Sequence, residues 1–177
     1  MALCGAYLPP YGLAGMGTPI ESKPAPGGAQ MSWKAVAFPE LSVDELYELL
    51  ALRQLVFVVE QTCAYLDCDG KDPKATHLLG RSETGQLVAY ARLFGPGVSF
   101  AEASIGRVIT HPAARRTGAG RALMREAITR TRAIFGEGPI RIGAQRYLER
   151  FYGELGFVIA SAPYDEDGIP HVEMLLA

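Results

Sequence analysis

The stretch at residues 105–124 constrains the fold most, because it joins a strand-forming run to a glycine-rich turn and then to a helical pattern. Residues 105–110 are rich in the β-branched side chains typical of strands, and Pro112 cannot continue a central strand. Apolar residues then recur at helical spacing from Leu123 to Ile134. The sequence therefore predicts a strand, a loop and a helix in that order.

The turn between this strand and this helix has the features of an anion site. Gly118 and Gly120 remove side chains where the first N–H groups of the helix lack intrahelical partners, and arginines flank both glycines. The helix dipole is worth about 0.3–1 kcal/mol to an anion at an exposed site, and each charge-assisted hydrogen bond about 1.5–3 kcal/mol. We therefore predict a phosphate site made of Arg115, Arg116, Thr117, Gly118, Ala119, Gly120 and Arg121.

Two common phosphate motifs are excluded, because the turn lacks the Gly-Lys-Ser/Thr ending of a Walker A loop and the Gly-x-Gly-x-x-Gly spacing of a dinucleotide site. Its Arg-x-x-Gly-x-Gly pattern follows a strand that ends in His111-Pro112, and it resembles the acyl-CoA motif of the GNAT family of N-acetyltransferases. Residues 145–157, with Phe-Tyr followed by Leu-Gly-Phe, resemble the second motif of that family. The resemblance runs from Trp33 to the C-terminus. Within it, Val-Phe-Val-Val-Glu-Gln, Tyr-Leu-Asp-Cys-Asp-Gly and Asp-Gly-Ile-Pro-His are similar to the ElaA-type subgroup.

The order of strand and helix patterns predicts a mixed α/β domain. Strand patterns occupy residues 33–38, 76–81, 86–94, 102–110, 139–144, 157–160 and 172–176. Helix patterns occupy residues 43–57, 118–135 and 146–155, and Ser42 with Glu45 forms a capping box at the start of the first. The resemblance implies the fold class α/β (α+β), with a mixed, mostly antiparallel sheet of about six to seven strands and helices on both faces.

Composition indicates one domain with an N-terminal extension. The chain has 177 residues, 49% of them hydrophobic, which is enough for one substantial core. Residues 1–30 are rich in Gly and Pro without periodicity, so we expect them to be disordered and residues 31–177 to form the domain. They lack the basic start of a signal peptide, and no apolar run approaches membrane-spanning length. The net charge of −2 disfavours nucleic acid and membrane surfaces as partners, and we expect a monomer or homodimer.

The sequence predicts no metal site. Its three cysteines are odd in number and match no zinc spacing, which favours a reducing, cytoplasmic location. The acidic loop with Asp67, Asp69 and Asp72 around Gly70 lacks the glycine and glutamate spacing of a calcium loop. Two interpretations stay open for this loop: a folded turn that lines a substrate pocket, or a plain surface loop.

The resemblance implies how acetyl-CoA binds. The backbone of Val108, Ile109 and Thr110 is expected to pair with the pantetheine arm, and the Val108 amide to polarise the thioester carbonyl. The alternative for this segment is an ordinary paired strand. Residues 115–121 are expected to hold the diphosphate, unless they form only a solvated basic helix start. Gln145, which stands where many relatives carry Asn, is a further expected cofactor contact.

The catalytic groups are less well determined. Tyr152 matches the general acid of the family, which protonates the leaving thiolate, although it also suits packing between a helix and a strand. The strand before the second motif offers no carboxylate, so the candidate general bases are Glu60, Asp67, Asp69 and His171. The apolar run before Glu60 predicts a raised pKa for its carboxyl. A water chain, or an amine that is deprotonated before it binds, would remove the need for a base.

These inferences predict an acetyl-CoA-dependent N-acetyltransferase that acts by direct transfer in a ternary complex on a primary amine, small molecule or peptide, of unassigned identity. Asp67, Asp69 and Asp72, if they line the pocket, favour a cationic amine. Arg107 lies within a strand and is expected to pair with Glu102 or Asp67, or to reach an acidic substrate. One alternative is a non-catalytic acyl-CoA sensor or interaction module on the same fold. Another, a nucleic-acid binder, is disfavoured by the net charge and the lack of interleaved aromatics.

Overall fold

The computed structural model describes residues 31–62 and 65–177, so the extension predicted at residues 1–30 lies outside them. Its strands are β1 (Ser32–Ala37), β2 (Thr76–Arg81), β3 (Leu87–Phe94), β4 (Ala103–Thr110), β5 (Ile140–Gln145), β6 (Val158–Ile159), β7 (Tyr164–Glu166) and β8 (Ile169–Leu176). Its α-helices are α1 (Val43–Arg53), α2 (Ala119–Phe135) and α3 (Glu149–Gly153). The strand, loop and helix predicted from the glycine-rich stretch are β4, the turn after it and α2.

The strands form one mixed sheet. Their order is β1-β2-β3-β4-β5-β8-β6, and β7 also pairs with β8. The pair β4–β5 is parallel, and the other pairs among the described strands are antiparallel. This confirms the predicted fold class, and the strand beyond the predicted six to seven is the three-residue β7.

The helices lie on both faces of the sheet, as predicted, because neighbouring residues of a strand point to opposite sides. On β2, Leu78 packs in the cluster that contains Leu123 and Met124 of α2. The next residue, Leu79, packs in the second cluster with Leu49 of α1. All five side chains are fully buried, so the sheet separates two apolar layers.

Helix α1 begins as the sequence predicted and ends earlier. The Ser42 hydroxyl accepts a hydrogen bond from the Glu45 N–H, and the Glu45 carboxylate accepts one from the Ser42 N–H, both at 3.1 Å. The predicted helix ran to Phe57, whereas the α-helical pattern ends at Arg53 and a π-helix continues at Gln54–Glu60. The apolar spacing did not signal this change of hydrogen-bond pattern.

The C-terminal elements differ most from the predictions. The predicted helix at 146–155 is a 3₁₀ turn at Arg146–Leu148 followed by the short α3. Strand β8 begins at Ile169 rather than at 172, because the unpredicted β7 pairs with it across Asp167-Gly168. Both turn residues have positive φ, 53° and 80°, as a type I′ hairpin turn requires. The three residues of β7 are exposed, so no apolar alternation marked the strand.

A buried network of ion pairs joins α1, β3 and β4 to the loop that precedes β2. Arg53, whose side chain is fully buried, donates to Asp67 at 2.7 Å and to Asp72 at 2.8 Å. Arg92 of β3 donates to Asp69 at 2.6 Å and to Asp72 at 3.0 Å. We call the following six residues the arginine–aspartate network: Arg53, Asp67, Asp69, Asp72, Arg92 and Arg107.

We expect the substitution Arg53→Met to lower the free energy of unfolding by about 3–5 kcal/mol, because it leaves carboxylate oxygens buried without their donor. The matched control is Arg81→Met, which removes an arginine with a 2.6 Å contact to the half-exposed Glu48. An exposed pair is worth about 1 kcal/mol or less. Urea denaturation of the three proteins gives the comparison, and equal losses for both variants would contradict a stabilising role of the buried network.

Candidate active site

The site is organised around a gap in the sheet between β4 and β5. These parallel strands pair only at their first residues, Ala103 with Ile140 and Ser104 with Arg141. Further along, β4 stays paired with β3 and β5 stays paired with β8, so the two strands diverge. The backbone that faces the gap is therefore left for another extended group to pair with.

A β-bulge changes β4 at the middle of this gap. Tyr90 of β3 pairs with Ile109, whereas Arg92 pairs with Gly106, so two residues of β4 lie opposite Ala91. These two residues are Arg107 and Val108, which have no register partner in β3 or β5. Arg107 has a φ of 51°, in the left-handed region that non-glycine residues seldom adopt. The bulge thus takes Val108, the predicted contact of the thioester, out of the regular ladder.

The gap opens into a cleft of about 760 Å³, within the range usual for sites of small ligands and cofactors. Residues 104–110 of β4 form one wall and Ile142, Gly143 and Gln145 of β5 face them. Tyr152 from α3 also lines the cleft, as do side chains from the loop before β2 and from the β7–β8 hairpin. The loop that was interpreted either as part of a pocket or as plain surface is therefore part of a pocket.

The N-terminus of α2 lies at one end of this cleft, where Gly120 and Arg115 line it. The first backbone hydrogen bond of the helix is donated by Ala122 to the Gly118 carbonyl, and no side chain caps the helix. Within the described residues, the N–H groups of Ala119, Gly120 and Arg121 therefore have no backbone acceptor. Unpartnered N–H groups at a helix start are what an anion requires.

The three arginines of the predicted phosphate site differ in their contacts. Both terminal nitrogens of Arg115 donate to the Glu60 carboxylate, one of them at 2.7 Å. Arg121 pairs with Glu154, the residue that follows α3, at 2.5 Å. Arg116, which is exposed, forms no ion pair with the described residues. Arg116 and the helix N–H groups are consequently the groups at this turn most available to an anion.

Two other predicted cofactor contacts are placed differently. The Gln145 side chain lines the cleft and donates to Gln61 at 3.3 Å. Thr117 is exposed, and its hydroxyl donates to the Ala114 carbonyl at 2.8 Å. Gln145 is thus placed to contact a ligand in the gap, and Thr117 stabilises the turn.

Tyr152 is almost completely buried at the wall of the cleft, with 6% of its surface exposed. Its ring packs edge-on against Phe151 and Phe157, with centroids 5.0 and 6.0 Å away. Burial raises the pKa of the Tyr152 hydroxyl to about 12, so the group stays protonated near neutral pH. Tyr152 therefore packs between neighbouring elements, which is one of the two roles considered from the sequence, and it also lies on the cleft, where a proton donor would act.

The carboxylates considered as general bases are all held by arginines. Glu60 was expected to have a raised pKa, but its hydrogen bonds with Arg115 lower that pKa. Burial raises the pKa of Asp69, yet the hydrogen bonds from Arg92 and a backbone N–H outweigh it and hold the pKa at about 2. Asp67 is buried between two arginines. The lowered pKa values make Glu60 and Asp69 poor proton acceptors, and both arginine contacts occupy the Asp67 carboxylate.

His171 has a different environment. It pairs with Gln145 across β5 and β8, lines the cleft and stacks on Tyr164 with ring centroids 5.9 Å apart. Its Nδ1 lies 2.8 Å from the Ile169 carbonyl, which accepts but cannot donate, so Nδ1 carries a proton. In the neutral ring, Nε2 is then the basic nitrogen.

The structure corrects the expectation that the three loop aspartates give the cleft a negative charge. Of the three loop aspartates, only Asp69 lines the cleft, and the arginine–aspartate network neutralises all three. Arg107 pairs with Asp67, as one of the sequence alternatives predicted, while Glu102 pairs with Arg141 instead. Long-range ion pairs of this kind leave no local sequence signal.

The β7–β8 hairpin adds residues that the sequence analysis did not find. Tyr164, Glu166 and Asp167 line the cleft. The Tyr164 hydroxyl lies 3.3 Å from the position that a Cβ on Gly143 would occupy, so a side chain on β5 there would crowd the ring. Asp167-Gly168 was the available signal, because this dipeptide favours a tight hairpin that turns back toward the sheet.

The part of the chain that the structure describes contains neither a cluster of metal ligands nor a membrane-spanning helix. There, no three His, Cys, Asp or Glu side chains gather in an arrangement that fits a metal ion. Across the same residues, no helix combines the length and the apolar character needed to cross a membrane.

Comparison with known proteins gives consistent matches. Residues 58–177 match the family model described as an acetyltransferase (GNAT) domain. A UPF0039 protein of Synechocystis is 44% identical over 146 residues, which cover 82% of this chain and 95% of that protein. Protein ElaA of Escherichia coli is 40% identical over 146 residues, 81% of this chain and 95% of its own.

Solved structures show the same architecture. The crystal structure of an acyl-CoA N-acyltransferase from Pseudomonas aeruginosa aligns with a TM-score of 0.78 at 39% identity and covers 84% of this chain and 100% of that one. The crystal structure of Escherichia coli ElaA aligns with the same score, identity and coverage.

The contact between Glu60 and Arg115 can be tested without a ligand. We expect Arg115→Met to raise the pKa of the Glu60 carboxyl toward its ordinary value, since the hydrogen bond from Arg115 is the largest cause of its lowering. Titration of the Glu60 carboxyl by ¹³C NMR measures the change. The control is Arg121→Met, which removes the neighbouring arginine that pairs with Glu154. A Glu60 pKa that is the same in wild type and in Arg115→Met would show that the pair does not form in solution.

Proposed function

Because this chain belongs to the GNAT family and is an N-acetyltransferase, we propose that it transfers the acetyl group of acetyl-CoA directly to a primary amine, with both substrates bound together. Enzymes of this family take their acyl group from an acyl-CoA. The observation that carries the proposal is the combination of a divergent β4–β5 pair with unpartnered N–H groups at the start of α2. An extended thioester and a diphosphate need these two features side by side.

In this proposal acetyl-CoA lies along the edge of β4. The N–H groups of Ala119, Gly120 and Arg121 and the exposed side chain of Arg116 hold the diphosphate, and Gly118, with its φ of 91°, gives the turn its shape. The pantetheine arm pairs with the backbone of residues 108–110, as an added strand would. Gln145 contacts the arm from the opposite wall.

The reaction forms one C–N bond and breaks one C–S bond. The neutral amine attacks the thioester carbonyl, whose developing negative charge is stabilised by the Val108 N–H. The carbon–sulfur bond then breaks, and Tyr152 donates its proton to the leaving thiolate. A free thiol has a pKa of about 8.5, below that of the buried tyrosine, so a thiolate already released would not readily take the tyrosine proton. Proton transfer must therefore accompany bond cleavage rather than follow it. The proton that attack leaves on the amine nitrogen passes to a base, and the tyrosinate regains its own proton from solvent.

We assign His171 as the group that accepts the proton of the amine. It is the candidate base on the cleft that forms no ion pair with the described residues, and its protonated Nδ1 leaves Nε2 as the acceptor. Glu60, Asp67 and Asp69 are held by arginines, which makes them supports of the site in this proposal.

In this proposal the acceptor enters from the side of the β7–β8 hairpin and the loop before β2, because side chains of both elements line the cleft. Glu166 and Asp167 on the hairpin favour the approach of a cationic amine, small molecule or peptide. The cytoplasmic location and the monomeric or homodimeric state inferred from the sequence stay predictions.

The test of the proposed function is to incubate the full chain with acetyl-CoA and a panel of primary amines and to follow release of free thiol. Mass spectrometry of the same mixtures identifies any amine that gains an acetyl group. Amine-dependent thiol release with acetylated product is expected. Binding of acetyl-CoA without release under any amine would support an acyl-CoA sensor instead.

We expect Tyr152→Phe to lower kcat by about 10²–10⁴-fold while acetyl-CoA binds as before, because general acid catalysis typically contributes that much. Calorimetric titration with acetyl-CoA and steady-state kinetics with the acetylated amine separate binding from turnover. The matched control is Tyr47→Phe, which removes the same atom from an exposed position on α1. A kcat for Tyr152→Phe within a few-fold of wild type would remove Tyr152 from the reaction.

We expect His171→Ala to lose turnover at neutral pH and to recover part of it when imidazole is added, because a small base restores the lost nitrogen. Acetyl-CoA affinity should stay unchanged in the variant. Acetate at the same concentration serves as the control, since it has a similar size but is a much weaker base. A variant that keeps wild-type kcat, or a loss that imidazole does not relieve, would count against His171 as the base.

A further inference from the structure

Arg107 has a positive φ at a bulge position although it is not glycine. Its backbone has a φ of 51°, which is strained for any residue with a Cβ, and it occupies the bulge next to Val108. Glycine is the usual residue at such a position in a bulge, because glycine adopts positive φ without cost. A strained conformation persists only where the surrounding structure over-determines it.

The Arg107 side chain supplies that restraint. Its Nε donates to Asp67 at 2.7 Å, and one terminal nitrogen lies 3.6 Å from Asp69. The guanidinium also lies over the rings of Phe57 and Tyr65, 5.6 and 5.3 Å from their centroids. Asp67 is fixed in turn by the buried Arg53, so the anchor is rigid.

We propose that Arg107 is a positioning residue: its anchored side chain holds the strained bulge and thereby fixes the Val108 N–H toward the thioester carbonyl. This inference rests on the proposed function, in which that N–H stabilises the developing oxyanion. The arginine–aspartate network then has a role in the reaction, because it connects the loop before β2 to the bulge that carries the Val108 N–H.

Asp67 joins the loop before β2 to the bulge of β4. Tyr65 and Asp69, from the same loop, line the cleft, while Asp67 contacts the side chain of Arg107 in the bulge. A shift of the loop therefore changes the restraint on Arg107. Direct contacts thereby join residues 65–69 to the bulge that carries the Val108 N–H.

The polarisation can be measured without knowing the amine. Acetyl-CoA labelled with ¹³C at the acetyl carbonyl is bound to the full chain, and isotope-edited infrared spectroscopy records the carbonyl stretching frequency. A hydrogen bond from a fixed N–H lowers this frequency relative to free acetyl-CoA. Calorimetry on the same samples gives the Kd, so that loss of polarisation is separated from loss of binding.

The variants compared are Arg107→Ala and Arg107→Gly. Arg107→Ala removes the anchoring side chain but keeps a Cβ at the strained positive φ. We therefore expect this variant to lose most of the carbonyl frequency shift, with a Kd for acetyl-CoA within a few-fold of wild type. Glycine removes the anchor and the strain together, so we expect it to retain more of the shift than alanine. Stability favours the same order at this position, because glycine adopts a positive φ without strain, so the frequency shifts are compared only on samples that are fully folded.

Arg141→Ala is the matched control. Arg141 also pairs with two carboxylates, those of Glu102 and Glu173, and lies over an aromatic ring, but it is in regular register with Ser104. We expect its removal to leave the frequency shift unchanged. If Arg107→Ala proves too unstable to measure, Asp67→Asn loosens the same anchor without altering residue 107 and should reduce the shift.

The outcomes separate this inference from the proposed function. A full shift in Arg107→Ala, or an alanine variant equal to or better than the glycine variant, would overturn the positioning role and leave the proposed function intact. Acetyl-CoA that binds to wild type without any carbonyl shift would overturn the role of the Val108 N–H and this inference with it. No binding of acetyl-CoA to wild type would overturn the proposed function itself. Once an acetylated amine is known, kcat of Arg107→Ala should fall by about 10²-fold with little change in KM for acetyl-CoA.

Discussion

The divergence of β4 from β5 is the constraint on which the rest of the site depends. A parallel pair that continued past Ser104 and Arg141 would occupy the backbone groups of both strands and close the cleft. Past that point each strand stays paired with its other neighbour, β3 on one side and β8 on the other, over most of its length. The sheet thereby remains continuous at its base while it opens at the carboxyl ends of both strands. The start of α2 and the side chain of Tyr152 lie at that opening.

Buried charge fixes the opening in place. Asp67 accepts from Arg53 on one side and from Arg107 on the other, and Asp72 joins Arg53 to Arg92. Buried ion pairs are a weak source of net stability, but removing one partner is costly, so such a network restricts the conformations that its members adopt. In this chain the restricted elements are the acceptor-side loop and the bulge of β4. A site that must hold a thioester carbonyl within hydrogen-bond distance of one N–H group benefits from that restriction.

Local signals in the sequence predicted most helices and strands. They could not predict contacts between residues that are far apart in the chain. The capping box at Ser42, the apolar spacing of α2 and the glycine-rich turn each act within a few residues, and the structure has them as predicted. The partners of Arg115 and Arg107 lie 55 and 40 residues away, so no pattern along the chain could assign them. Asp67 and Asp69 were therefore considered as bases although arginines hold them. The positive φ of Arg107 was equally hidden, because it follows from the register of β3 against β4.

The central claim is that N–H groups of this chain, at the start of α2 and at the bulge, bind acetyl-CoA directly. Backbone amide NMR of the full chain titrated with acetyl-CoA tests it most directly. We predict that the amide resonances of Val108, Ala119, Gly120 and Arg121 shift with one common saturation curve, and that desulfo-CoA, which keeps the diphosphate and the pantetheine amides but has no thioester, shifts the α2 amides fully and Val108 less than acetyl-CoA does. Saturating acetyl-CoA that leaves the α2 amides at their original positions would contradict the account.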